Sequence, residues 1–159
     1  MGGSTVPEKA MRMATLLKAQ IGVKATEPEY KRLTDFDYVA TPKSGSPFLG
    51  YEFSRLTQKP LMLHSQDAKY RDANGKSEPL AHFDISFKPE SGKSVLIIDD
   101  SSTGGRKVGS MIQHLKLLDL VVNYCVVIFE PQSKVGTQQN ASKALSEYGV
   151  KLISIVRHP

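Results

Sequence analysis

Strands and helices alternate along most of the chain, which predicts an α/β fold with a mostly parallel sheet flanked by helices on both faces. Three observations carry that expectation. Ser94 to Asp99 is a nearly continuous aliphatic run, as in a strand buried on both faces. Val108, Met111, Ile112, Leu115 and Leu118 follow at the spacing of one helical face. Val121 to Phe129 then returns to an apolar strand pattern, so the three segments make one βαβ unit.

The other elements extend the same alternation. Pro7 to about Ala19 reads as a helix, with Ala10, Met13, Ala14 and Leu17 at helical spacing and Gly22 as its stop. Thr26 to Asp37 is polar and reads as a loop or short helix. Tyr38 to Thr41 is a short strand leading into the loop Pro42-Lys43-Ser44-Gly45-Ser46-Pro47. Phe48 to Thr57 reads as a helix and Leu61 to Leu63 as a strand. Ser65 to Pro79 is polar and patternless, the signature of a functional flap or a disordered insert. Leu80 to Phe87 alternates imperfectly and is expected to be a strand, and Lys88 to Lys93 a turn. A helix over Gln138 to Tyr148, stopped by Gly149, precedes a last strand from Leu152 to Val156.

With 159 residues, one domain is expected: residues 1–36 as an N-terminal helix and loop, and 37–157 as the α/β core. The formal charge of +5 is spread over both halves of the chain, with no basic tail. It favours anionic partners of any kind, small phosphates included. The six tyrosines are scattered and no basic–aromatic stripe appears, so a nucleic-acid platform is not supported. The single cysteine, Cys125, lies in an apolar run and excludes an internal disulfide; a buried thiol is expected. No apolar run approaches the length of a membrane span, and Met-Gly-Gly-Ser lacks the apolar stretch of a secretory signal, so a cytoplasmic protein is expected. His64, His82, His114 and His158 show no metal-ligand spacing, and His114 is expected to be a surface or half-buried residue.

The most informative segment is Ser94-Val-Leu-Ile-Ile-Asp-Asp-Ser-Ser-Thr-Gly-Gly-Arg-Lys107. A buried strand delivers two carboxylates to the sheet edge, and a small-residue loop then turns into a helix. Backbone N–H groups, hydroxyls and the helix dipole in such a loop can converge on a phosphate. Glycines let the backbone approach the anion closely. Carboxylates repel phosphate but suit sugar hydroxyls or Mg²⁺ beside it. The pattern therefore fits a phosphorylated sugar, against the plainer reading of an acidic, ordinarily capped turn. Gly92-Lys93-Ser94 imitates the end of a P-loop but precedes a strand instead of opening a helix, so the anion cradle of that motif is missing.

Four apolar residues, two acids, two spacers, then Thr and Gly before a helix resemble the binding motif of type I phosphoribosyltransferases for 5-phosphoribosyl 1-diphosphate (PRPP). Tyr38 to Pro47 resembles the family's diphosphate loop. Val126-Val-Ile-Phe-Glu-Pro-Gln132 with the following helix and Lys-Leu-Ile-Ser-Ile strand resembles the end of orotate phosphoribosyltransferases. The resemblance spans roughly Asp37 to Val156. It implies that Asp99 and Asp100 hold the ribose hydroxyls, directly or around Mg²⁺. It implies that Ser102, Thr103, Gly104, Gly105, Arg106 and Lys107 wrap the 5-phosphate, and that Lys43, Ser44 and Gly45 contact the diphosphate. Residues 65–79 take the place of the family's mobile catalytic loop, with Lys69 and Arg71 reaching the leaving diphosphate. Glu130 and Gln132 fall on the base side. The implied partners are PRPP and a nitrogenous base, with a homodimer as a further implication.

Several positions depart from the family pattern. Lys107 stands where the phosphate loop usually ends in a hydroxyl residue, and Gly104 replaces the usual Thr, Ser or Ala. Pro131 follows Glu130, where orotate enzymes carry an arginine. Residues 1–36 do not contain an obvious hood over the base. Two activities are therefore implied: transfer of ribose 5-phosphate to a base, with orotate enzymes most similar, or PRPP or nucleotide binding by a non-catalytic regulator or subunit.

Overall fold

The computed structural model describes residues 7–45, 47–101, 106–130 and 143–157. Six strands form one sheet: β1 (Tyr38–Pro42), β2 (Leu61–His64), β3 (Phe83–Asp84), β4 (Ser94–Ser101), β5 (Val121–Glu130) and β6 (Lys151–Arg157), in the order β3-β2-β1-β4-β5-β6. Every neighbouring pair is parallel except β2 and β3, which are antiparallel. The helices are α1 (Pro7–Lys24), α2 (Pro47–Thr57), α3 (Arg106–Leu117) and α4, described over residues 143–147. The α/β expectation holds, with helices on both faces.

Alternation along the strands sorts the core into two layers. Val39, Leu96, Ile98, Val126, Ile128 and Ile153 meet Ala14, Leu17 and Ile21 of α1 and Leu49 and Phe53 of α2. On the other face, Ala40, Val95, Ile97, Cys125 and Val127 meet Val108, Met111, Ile112 and Leu115 of α3 and Leu145 of α4. Cys125 is fully buried and burial pushes its thiol up, so the expectation of a structural cysteine is met. Gly149, at φ +75°, follows α4 in the left-handed conformation that ends many helices.

Two expected elements differ. The first helix does not stop at Gly22 but runs to Lys24, because Ile21, 2% exposed, continues the apolar stripe of Ala10, Ala14 and Leu17. That burial outweighs the ~1 kcal/mol a helical glycine costs. The expected strand from Leu80 to Phe87 is instead a 3₁₀ turn, Pro79–His82, followed by the two-residue β3. Pro79 at the first helical position has a preset φ and no N–H to give a ladder. Residues Thr26 to Asp37 resolve to a 3₁₀ helix, Pro28–Thr34.

The chain leaves β1 towards β2 on one side of the sheet and leaves β4 towards β5 and β6 on the other. The carboxyl ends of β1 and β4 therefore form the topological switch point, where open α/β sheets bind ligands.

Candidate functional site

The loop after β1 and the acidic end of β4 meet at that switch point. Thr41 anchors β1 by donating from Oγ1 to the Ile98 carbonyl at 2.6 Å. The chain then turns, with Gly45 N–H donating to the Pro42 carbonyl at 3.1 Å. A Cβ on Gly45 would stand 2.7 Å from Asp99 Oδ1, so a side chain there would displace the carboxylate or the loop. Lys43 N–H donates to the His64 carbonyl at 2.7 Å, tying the loop to the end of β2.

Asp99 and Asp100 occupy successive strand positions and so face opposite sides of the sheet. Asp99 is 2% exposed, and its Oδ1 accepts the Asp100 N–H at 2.8 Å. Its charge also helps to raise the Cys125 thiol. Asp100 is half-buried. Carboxylate oxygens such as that of the half-buried Asp100 suit a hard cation such as Mg²⁺, which keeps several waters and takes further oxygens from a substrate.

Residues 65–78 contain no regular element, and their base is clasped. Ser65 N–H donates to the His82 carbonyl and Lys69 N–H to the Ala81 carbonyl, both at 2.8 Å. The tip is a turn built on Asp72, whose Oδ1 accepts the N–H groups of Asn74 and Lys76 at 2.9 Å each. Arg71 donates to the Gly75 carbonyl of the same turn at 3.1 Å, so its guanidinium is held at the tip. Lys69 lies at the base, with Nζ 3.2 Å from Asp84 Oδ1, and Lys43 Nζ lies 2.8 Å from Asp84 Oδ2. Hydrogen bonds from Lys43 first, then from Lys69, hold the Asp84 carboxyl below the usual range. An open cleft of about 410 Å³ lies here, lined by Lys43, Ser44, Ser65, Gln66 and Asp67.

The structure thus brings Lys43 and Lys69 together, and brings Gly45 against Asp99. Ser102, Thr103, Gly104, Gly105 and Gln132 lie outside the described residues, as do the side chains of Arg106, Lys107 and Glu130. The backbone of Arg106 opens α3, five residues along the chain from Ser101, the last residue of β4.

One cluster was invisible to ligand spacing. His64 ends β2, His82 ends the 3₁₀ turn, and His114 lies on α3, yet the three imidazoles meet. His64 Nε2 is 2.8 Å from His114 Nδ1, and the His82 and His114 rings stack at 3.8 Å between centroids. Burial first, then the neighbouring imidazoles, depresses His64 to about 3. Burial likewise lowers His114, which is half-buried as the sequence suggested. The only sequence signals were that His64 closes an apolar strand and that His114 sits between the core positions Met111 and Leu115.

A mostly parallel six-stranded sheet with its switch point between β1 and β4 is the fold this chain shares with solved phosphoribosyltransferases. Solved structures with that fold match the chain. An orotate phosphoribosyltransferase from Aeropyrum pernix aligns over 80% of this chain at 18% identity and a TM-score of 0.60. UMP synthase from Leishmania donovani aligns over 96% of this chain at 22% identity and a TM-score of 0.65. An adenine phosphoribosyltransferase from Saccharomyces cerevisiae aligns over 94% at 12% identity and a TM-score of 0.61. The chain spans 62% of the Aeropyrum structure, 28% of the Leishmania structure and 80% of the yeast structure. No family model matches the sequence, and no curated protein matches it. Among the described residues, no helix is long and apolar enough to cross a membrane.

Proposed function

We propose that the chain binds PRPP at the β1–β4 edge and transfers its ribose 5-phosphate to a nitrogenous base with release of diphosphate. The observation that carries this reading is the approach of Gly45 to Asp99. It puts the backbone of the Lys43–Gly45 loop beside the Asp99 carboxylate, which supports a single ligand that would contact both. In the transfer, the bond from the ribose anomeric carbon to the diphosphate oxygen breaks and a bond from that carbon to a base nitrogen forms. The ribose is cationic in between, and the leaving diphosphate gathers negative charge.

The residues supply what that chemistry needs. Asp99 and Asp100 would hold the ribose hydroxyls, directly or around Mg²⁺. The metal, when bound, neutralises charge on the diphosphate. Lys43 and Lys69 would meet the leaving oxygens, and closure of residues 65–79 would exclude water. Arg71 would join them only if the turn at the tip releases its guanidinium. Ser102 to Lys107 would take the 5-phosphate at the start of α3, and Glu130 and Gln132 would face the base.

A second reading is PRPP or nucleotide binding without turnover. It is favoured by Asp84, which engages both lysines that the transfer would use, and by Lys107 and Pro131. The two readings separate in one assay: diphosphate release from PRPP and Mg²⁺ with a panel of bases including orotate and adenine. Base-dependent release supports transfer. Saturable PRPP binding with no release under any base supports the regulator.

A further inference from the structure

We propose that His64, His82 and His114 form a binding site for a divalent transition metal ion, Zn²⁺ above all, independent of any ligand at the β1–β4 edge. The three ligand nitrogens lie within 4.8 Å of one another. A tetrahedral zinc site with Zn–N bonds of ~2.0–2.1 Å separates its nitrogens by about 3.3 Å. His64 Nε2 and His114 Nδ1, at 2.8 Å, need to part by about 0.5 Å to admit an ion, and the widest separation needs to close by about 1.5 Å. Shifts of that size are rotations of side-chain torsions. The His82 and His114 rings would open from their stack as they turn towards the ion.

The surroundings are those of a ligand set. Imidazole suits Zn²⁺ and its neighbours in the first transition row, whereas Mg²⁺ and Ca²⁺ prefer oxygen. His82 Nδ1 lies 3.1 Å from the Ser65 carbonyl, which can only accept, so that nitrogen carries the proton. In the neutral ring that leaves the lone pair on Nε2, which faces the Ser77 hydroxyl at 3.2 Å. A backbone carbonyl fixing the non-ligating nitrogen is the usual outer partner of a metal-bound histidine. His64 and His82 are 3% and 8% exposed, so two of the three donors are already out of water.

The site would also link parts of the fold. His64 and His82 stand at the two ends of the loop 65–78, and His114 stands on the helix that follows the acidic end of β4. A bound ion would fasten the base of that loop to α3.

The test uses the full chain, stripped with chelator and titrated with Co²⁺ and then Zn²⁺. The expected result is one Co²⁺ per chain with the visible bands of a tetrahedral ion, displaced stoichiometrically by Zn²⁺. His114→Ala, chosen because His114 is only half-buried, and His82→Ala should each weaken binding by more than the 10–100-fold that loss of an outer partner costs. His158→Ala should change nothing. If the variants fail to fold, ring ¹⁵N spectra of the wild-type chain decide: Zn²⁺ should move three histidines together. Absence of a saturable site on the folded wild-type chain overturns the proposal, as does unchanged affinity in folded His82→Ala and His114→Ala or ring shifts confined to other histidines. None of these readouts uses PRPP, so failure here is distinct from failure of the proposed transfer.

Discussion

Lys43 and Lys69 share one carboxylate, their ammonium groups lying on the two oxygens of Asp84 at 2.8 and 3.2 Å. One lysine follows β1 and the other sits at the base of the loop 65–78, so Asp84 joins the two segments whose charges a diphosphate would need. The pairs are exposed, with the lysine side chains 59% and 48% accessible, so each contributes only ~0.2–1 kcal/mol. Asp84 orients the lysines without locking them.

Asp84→Asn should therefore tighten PRPP binding by up to about fivefold, since a competing anion is removed at that energetic cost. Lys43→Ala should weaken it. Calorimetry on the two variants checks the sign of each effect. Tighter binding by Lys43→Ala would remove this lysine from the site.

Gly45→Ala is expected to abolish PRPP binding while leaving a folded chain. Its Cβ would enter the Asp99 carboxylate at 2.7 Å and push an exposed loop outward. Gly50→Ala is expected to behave in the opposite way. That Cβ would overlap the fully buried Thr41 side chain, and the overpacking costs about 1–3 kcal/mol. Comparing denaturation midpoints with PRPP affinities separates the two glycines.

Asp37 gives a pH dependence with a defined sign. Its carboxylate accepts the Ser94 N–H at 3.0 Å and the Ser94 hydroxyl at 3.2 Å, and the backbone bond is the main reason its carboxyl lies below the usual value. A carboxyl depressed on folding contributes stability above its unfolded pKa of about 3.9 and loses it as pH falls through the folded value. Urea denaturation of Asp37→Asn should thus show a shallower loss of stability below about pH 4 than the wild type. Parallel acid limbs in the two proteins would contradict this.

Phe53→Ala should cost about 3–5 kcal/mol. Phe53 is 1% exposed and packs between α1, the sheet and the Phe36 ring at 6.0 Å. Chemical denaturation measures it, and a loss below 1 kcal/mol would mean that the α1–α2 layer repacks.

The strands were legible because burial on both faces leaves an unbroken aliphatic run, as in Val95 to Ile98, and because Gly149 marks a helix end. The edge was less legible. Leu80 to Phe87 mixes a proline-started turn with a two-residue pairing, and no local period separates them. At the site, the acidic strand end and the loop Lys43 to Gly45 could be read because each is a contiguous motif after a strand. The clamp at Asp84 and the meeting of His64, His82 and His114 could not, since sheet order and the packing of α3 bring together residues that are far apart in sequence.

The most direct test of the central claim is a calorimetric titration of PRPP with Mg²⁺ into the wild-type chain and into the Asp99→Asn, Asp100→Asn double variant. The account expects saturable binding at one site per chain in the wild type, and loss of that isotherm in a variant that still unfolds cooperatively. An undiminished isotherm in the double variant, or none in the wild type, would contradict it.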